Sequence, residues 1–231
     1  MIRNGVAIGV ATGTYGLSFG ALAVAAGLSI PQTSALSLLM FTGASQFAFV
    51  GVIASGGSPF AGAAAAALLG ARNGLYGLHL SRLLSLRGWR RATTAQFVID
   101  ESAALSLAGR TESLARLGFW AGGLSVFLFW NAATVVGALG AQLLSDPKVL
   151  GLDVVAPAAF VALLAPRMVT RRTWVAGLLG AGVALAAVPL TAPGIPVLLA
   201  AAAMVPLVLA AREHSESRRA DVNATPQVRE K

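Results

Sequence analysis

Apolar residues run along this chain in long blocks separated by short polar stretches. A helix that crosses a bilayer needs about 20 predominantly apolar residues. Seven blocks meet or approach that length: 5–28, 33–56, 59–80, 117–144, 151–166, 173–191 and 194–211. An eighth, 93–109, is shorter and carries Asp100 and Glu101 at its centre. Two carboxylates on so short a stretch suit a re-entrant or interfacial piece better than a lipid-facing span. The pattern predicts an all-α, polytopic membrane protein of about seven transmembrane helices plus one re-entrant segment. Residues 1–211 form one transmembrane domain, and the polar, aperiodic stretch 212–231 reads as a disordered cytoplasmic tail.

Composition agrees with the pattern. Of 231 residues, 56% are hydrophobic and 11% charged, against about a quarter charged in a soluble domain. The formal charge of +8 could suggest nucleic acid, but its placement excludes that reading. Arg82, Arg87, Arg90 and Arg91, then Arg167, Arg171 and Arg172, sit in short stretches between apolar blocks, as cytoplasmic loops do. The expected home is a membrane, with lipid as solvent and the C-terminus in the cytoplasm. Arg110 and Arg116 would also be cytoplasmic, so 93–109 would enter and leave on one side. This scheme puts the N-terminus outside despite Arg3. The apolar run continuing to Leu28 is too long for a signal-peptide core. The chain has no cysteine, so it offers neither disulfides nor thiolate metal sites, and no cofactor motif is expected.

A repeat is suggested by three weak matches in the same order. "ALLGARNGLYGLHL" (67–80) lies over "GLLGAGVALAAVPL" (177–190), "GASQFAFVGVIA" (43–54) over "APAAFVALLAPR" (156–167), and "GALAVAAGLS" (20–29) over "GALGAQLLS" (137–145). Units 5–80 and 117–191 would then form a 3+3 inverted repeat, an architecture of many secondary transporters.

The chemistry concentrates in "LLGARNGLYGLHLSR" (68–82). Arg72, Tyr76 and His79 share one helix face, and Asn73 points to a neighbouring one. An arginine at mid-membrane costs roughly 2.5–3.5 kcal/mol on insertion scales, so it should face protein or a wet cavity. There its planar fork can hold a carboxylate by two parallel hydrogen bonds. The competing reading, snorkelling to headgroups, is disfavoured by depth, since Arg72 lies roughly 15 Å along a helix from Arg82. Asp100 and Glu101 point about 100° apart, so one can meet the arginine or a proton while the other meets water. Poor hydration favours a neutral acid, which suits a proton carrier; an acidic helix cap at the surface is the alternative.

Small residues mark two further features. Gly9, Gly13, Gly16, Gly20 and Gly27 form a narrow stripe that permits close helix packing or, alternatively, a substrate-facing surface. "FTGASQF" (41–47) and "VAPAAF" (155–160) interrupt apolar segments, and such breaks expose backbone groups to a ligand. Gly43, Ser45 and Gln46 in the first, and Pro157 in the second, are the candidate contacts. The G-x-S-x-G pattern in "GLSFG" (16–20) lies inside an apolar helix without a partner His and acid, so it is no nucleophile elbow. No enzyme activity is expected.

Together "GLSFGALAVAAGLS", "MFTGASQFA", "LLGARNGLYGL", "FVIDESAAL" and "LGLDVVAPAAFVALLAP" resemble the AzlC family, large subunits of bacterial branched-chain amino acid exporters. The resemblance covers about residues 8 to 190, with Asn73 where the family usually carries a histidine. It implies an exporter of aliphatic amino acids, a permease coupled to protons and working with a small AzlD-type membrane subunit. On that footing Arg72 would hold the substrate carboxylate, with Asn73 and Tyr76 beside it. The breaks at Gly43–Gln46 and around Pro157 would give backbone contacts, and Asp100 or Glu101 would take the ammonium group or the coupling proton. A membrane assembly or regulatory subunit whose charges pair internally is the alternative.

Overall fold

Residue chemistry at the helix ends sets the elements of the computed structural model, which describes residues 1–84, 88–143, 161, 164–165 and 168–206. Helix α1 (Ile2–Ala25) runs until a turn in which Gly27 takes φ +93°. Ser29 then caps α2 (Ile30–Leu39): its hydroxyl accepts from the Gln32 N–H, and the Gln32 carboxamide accepts from the Ser29 N–H. This reciprocal pair satisfies two of the orphan donors at a helix start. The chain breaks at Met40–Gly43, where Gly43 has φ +59°, before α3 (Ala44–Ala54). Ser58 caps α4 (Pro59–Leu83), with proline in the first turn, where no N–H is needed. Two short helices follow, α5 (Trp89–Ala95) and α6 (Asp100–Leu107), and then α7 (Glu112–Gln142), capped by Thr111. These elements belong to one compact unit, 1–166.

The glycine stripe fixes the central pair. A Cβ on Gly5, Gly9, Gly13 or Gly16 would strike Ala121, Ser125, Phe129 or Trp130 in turn, and one on Gly20 would strike the Thr134 carbonyl. Both numbers rise together, so α1 and α7 lie in parallel with backbones nearly touching. The stripe is therefore a packing surface. Side-chain volume, not polarity, is what this interface cannot tolerate.

Directions of the other helices follow from similar pairs. Gly62 lies against Phe49 and Gly70 against Ser45, so α3 and α4 are antiparallel. The end of α4 meets the start of α7, where Arg116 donates to the Leu84 carbonyl and Leu80 and Leu84 pack with Phe119. Hence α4 opposes α1 and α7. Between them, α2 descends from the end of α1 to mid-depth, where Ser37 bonds Thr134 and Phe41 packs on Phe127. α3 then returns to the side from which α2 came. Likewise α5 rises to Phe97, which packs on Trp120 and Phe127. α6 falls back past Gly122 to Gly118, both against Leu105.

Both broken pairs thus turn back near the middle of α7, one from each end, and in the stretch 93–109 the reversal falls between α5 and α6. The predicted span 33–56 is corrected: it turns back at Gly43, because a positive-φ glycine lets the chain reverse where a straight helix would continue.

This arrangement contains an inverted repeat, but not the expected one. A shift of 57 residues carries Ile2 onto Pro59, and carries Gly5, Gly13 and Gly20 onto Gly62, Gly70 and Gly77. Each unit is one long helix followed by a re-entrant pair, and the two units point oppositely. The expected equivalents α1 and α7 run in the same direction, which an inverted relation between them forbids. Most of the remainder of that second unit, including 151–160, lies outside the described residues.

One side of the layer gathers Arg3, Arg82, Arg90, Arg91, Arg110 and Arg116, whereas the turns at 26–29 and 55–58 on the other carry no charge. The N-terminus therefore shares the arginine-rich side. The scheme that set the N-terminus opposite the arginine-rich loops counted 33–56 as a crossing.

α1 and α7 are the two helices long and apolar enough to cross a membrane among the described residues. α4 has comparable length, but Arg72 and Asn73 dilute its apolar run. In the second compact unit, 167–231, Thr170 caps α8 (Arg171–Ala187), and α9 (Ile195–Pro206) follows a turn at Gly194. The predicted seven spans are not all long helices, and the tail 212–231 lies outside the described residues.

Candidate functional site

The tips of the two re-entrant pairs meet near mid-depth of α7. At the first tip the final carbonyls of α2 have no helical partners of their own. Gln46, fully buried, donates from Nε2 to the Leu36 and Ser37 carbonyls at 3.2 and 3.3 Å. Gln96 crosses from the second tip to the Leu38 and Leu39 carbonyls at 2.7 and 3.4 Å. Two carboxamides, one per repeat unit, thus satisfy the last turn of one half-helix. Leaving the part-buried Leu36 and buried Ser37 carbonyls bare would cost several kcal/mol each, and the exposed Leu38 and Leu39 carbonyls would carry the same cost wherever lipid rather than water faces them.

At the second tip Ser102 performs the equivalent task. Its hydroxyl donates to the Phe97 carbonyl at 2.6 Å and accepts from the Ile99 N–H at 3.1 Å. That holds the first turn of α6 and with it Asp100 and Glu101. Around both tips stands an aromatic cluster of Phe19, Phe41, Phe47 and Trp130, with Ile99 and Val126. Trp130 Nε1 and Gln46 Oε1 are buried there without hydrogen-bond partners among the described residues.

Arg72 reaches this centre from α4. Its Nη2 lies 3.1 Å from the Asp100 Oδ2, with side chains 31% and 23% exposed. The contacts of Gly62 with Phe49 and Gly70 with Ser45 continue to place Arg72 level with the start of α3. The pair therefore sits where two half-helices begin. Helix N-termini carry about half a positive charge each, so Arg72 and the starts of α3 and α6 share this centre with the two carboxylates of the first turn of α6, Asp100 and Glu101. Arg72 Nε is buried without an acceptor among the described residues, so the guanidinium fork is only partly used.

The remaining sequence candidates divide. Ser45 is buried against Gly70, and Gly43 makes the break itself. Asn73 has a buried Oδ1 with no partner among the described residues and lines a cavity of about 330 Å³. Tyr76 packs against the Leu80, Val98 and Phe119 cluster, and His79 is exposed. Glu101 is half-buried beside Asp100, with its backbone carbonyl against Gly122. Pro157 lies outside the described residues. Sequence reasoning missed Gln96, whose only signal was a lone carboxamide beside Phe97 in an apolar stretch. Among the described residues no group of His, Asp and Glu could hold a metal ion.

Oppositely oriented helix units with broken pairs, centred on a half-satisfied arginine, define a membrane-protein class in which backbone is exposed to a polar centre. The chain belongs to the AzlC family: the family model, described as AzlC protein, matches residues 7–144. That family is a membrane family associated with branched-chain amino acid transport. No curated protein and no solved structure matches the chain.

Proposed function

We propose that the chain is the large subunit of a secondary transporter that exports branched-chain, aliphatic amino acids across the bacterial cytoplasmic membrane. It works with a small AzlD-type subunit and couples export to protons. The observation that carries this reading is the Arg72–Asp100 pair at the meeting of two re-entrant tips. A guanidinium with an unused buried Nε can take a second carboxylate, and that of an amino acid is the natural competitor for Asp100. Protonation of Asp100 weakens its hold on Arg72, so proton and substrate act on the same ion pair; export driven by proton entry further requires that the two occupy the centre in alternation. Glu101, with its longer reach, would meet the ammonium group. The Gly43–Gln46 break supplies the first amides of α3.

Purified protein with its small partner in liposomes tests the reading directly. Labelled leucine or valine should move down its gradient, and an imposed pH gradient should drive it uphill. The same pair also suits a membrane assembly subunit whose charges only satisfy each other. That reading gains if no amino acid moves and Arg72→Met with Asp100→Leu together leave the complex stable.

A further inference from the structure

The two repeat units differ in one respect that their shared glycines expose. Gly20 on α1 is sealed against the Thr134 carbonyl of α7. Its equivalent on α4, Gly77, has nothing within 4 Å of an added Cβ among the described residues, nor has Gly74. Both line the 330 Å³ cavity between α4, α5 and the start of α7. So the face that is filled in one unit is hollow in the other.

The cavity has a direction. Leu84 and the exposed Arg91 stand at the arginine-rich side, and Asn73 and Val98 stand at the inner end. Asn73 adjoins Arg72 in the chain, and Val98 is two residues before Asp100, so the inner end of the cavity lies on the segments that carry the ion pair, although neither ion-pair residue lines it. Its buried walls are Leu80, Val98 and Phe119, with Thr94. A cation at one end, an unpartnered carboxamide at the other and aliphatic walls between them match a small zwitterion with a branched hydrocarbon side chain. The volume is in the range of ligand pockets, about 300–1,000 Å³.

We infer that this cavity is the access site for the transported amino acid, held with its carboxylate towards Arg91 and its side chain on Leu80, Val98 and Phe119 before it reaches Arg72. The inference rests on the transport reading above and adds where substrate waits and on which side. On that reading the cavity opens to the arginine-rich, cytoplasmic side, the side from which an exporter takes its cargo.

The hollow glycine face supplies the test, because it admits a side chain without a clash. In the complex with its small partner, Gly77→Leu should fold with unchanged thermal stability but raise the apparent KM for leucine roughly tenfold or more, since one methylene already changes aliphatic discrimination by that order. Gly140→Leu, also in open space but on the far half of α7, should leave KM unchanged. Separately, Gly77→Cys in this cysteine-free chain should react with N-ethylmaleimide, and leucine should slow that reaction while Gly140→Cys reacts at the same rate with or without leucine. If the wild type transports leucine while Gly77→Leu keeps its KM and leucine gives Cys-labelling no protection at 77, the cavity assignment is overturned and the transport reading stands. No labelling at 77 at all means that a partner helix fills the cavity, which also overturns it. If the wild type neither moves nor binds branched-chain amino acids, the transport reading fails and the cavity assignment fails with it.

Discussion

The Arg72 guanidinium and the Asp100 carboxylate meet at 3.1 Å, joining the long helix of one repeat unit to the half-helix that ends the same unit. Neither side chain is fully buried, and Arg72 retains a buried Nε without an acceptor among the described residues. A purely structural ion pair in an apolar interior is expected to use its donors fully, because each unmet one costs about 1–3 kcal/mol. The Arg72 fork is therefore only partly used by Asp100.

Arg72→Lys keeps the charge and loses the fork. A compact ammonium cannot bridge Asp100 and a second carboxylate in one plane. The loss of one charge-assisted hydrogen bond, about 1.5–3 kcal/mol, should raise the apparent KM for leucine roughly ten- to a hundredfold. Flux into liposomes at varied leucine concentration measures it. An unchanged KM would show that the carboxylate binds elsewhere.

The re-entrant form of 30–54 makes a topological forecast that a simple span does not. Ala25, at the end of α1, lies on the side opposite Ala92 on α5, and both are exposed. With no native cysteine, Ala25→Cys should react with an impermeant thiol reagent in intact cells and Ala92→Cys only after permeabilisation. Were 33–56 a full crossing with the arginine loops still inside, position 25 would stay silent in intact cells.

Close packing of α1 on α7 predicts a steep response to volume. Gly20→Leu places a side chain where the Thr134 carbonyl already stands, so the helices must part, at an overpacking cost of about 1–3 kcal/mol or more. Gly51→Leu, with nothing within 4 Å among the described residues, should be near neutral. Thermal unfolding of the detergent-solubilised complex compares the two; equal midpoints would contradict the packing role of the stripe.

Much of the layout was legible from the pattern. The apolar blocks found α1, α4 and α7, and the two carboxylates in a short stretch found the α5–α6 re-entrant pair. The reversal at Gly43 was half legible: "FTGASQF" announced a break, but a break alone does not tell a kink from a turn back. Direction comes from tertiary pairs such as Gly70 with Ser45, which no period encodes. The true repeat escaped because its two units share glycines while their other residues diverged, Tyr15 standing where Arg72 stands. The Arg72–Asp100 pair was one of several partners open to either residue, and Gln96 was hidden because its role is to cap carbonyls of a distant helix.

The same geometry decides between the adjacent acids. Asp100 is on Arg72, whereas Glu101 follows one helical step on, about 100° round α6. A neutral amide mimics a protonated acid in size, so both amide variants should fold. Asp100→Asn fixes the group in its proton-loaded form and weakens the hold on Arg72 permanently. It should abolish uphill export driven by a pH gradient while sparing exchange of labelled for unlabelled leucine. Glu101→Gln should retain pH-driven export, with its effect confined to apparent affinity if it meets the ammonium group. Paired assays of gradient-driven uptake into inverted vesicles and of exchange at equal pH separate these outcomes. Full pH-driven export by Asp100→Asn would remove Asp100 from coupling, and loss of it in Glu101→Gln alone would move the proton to Glu101.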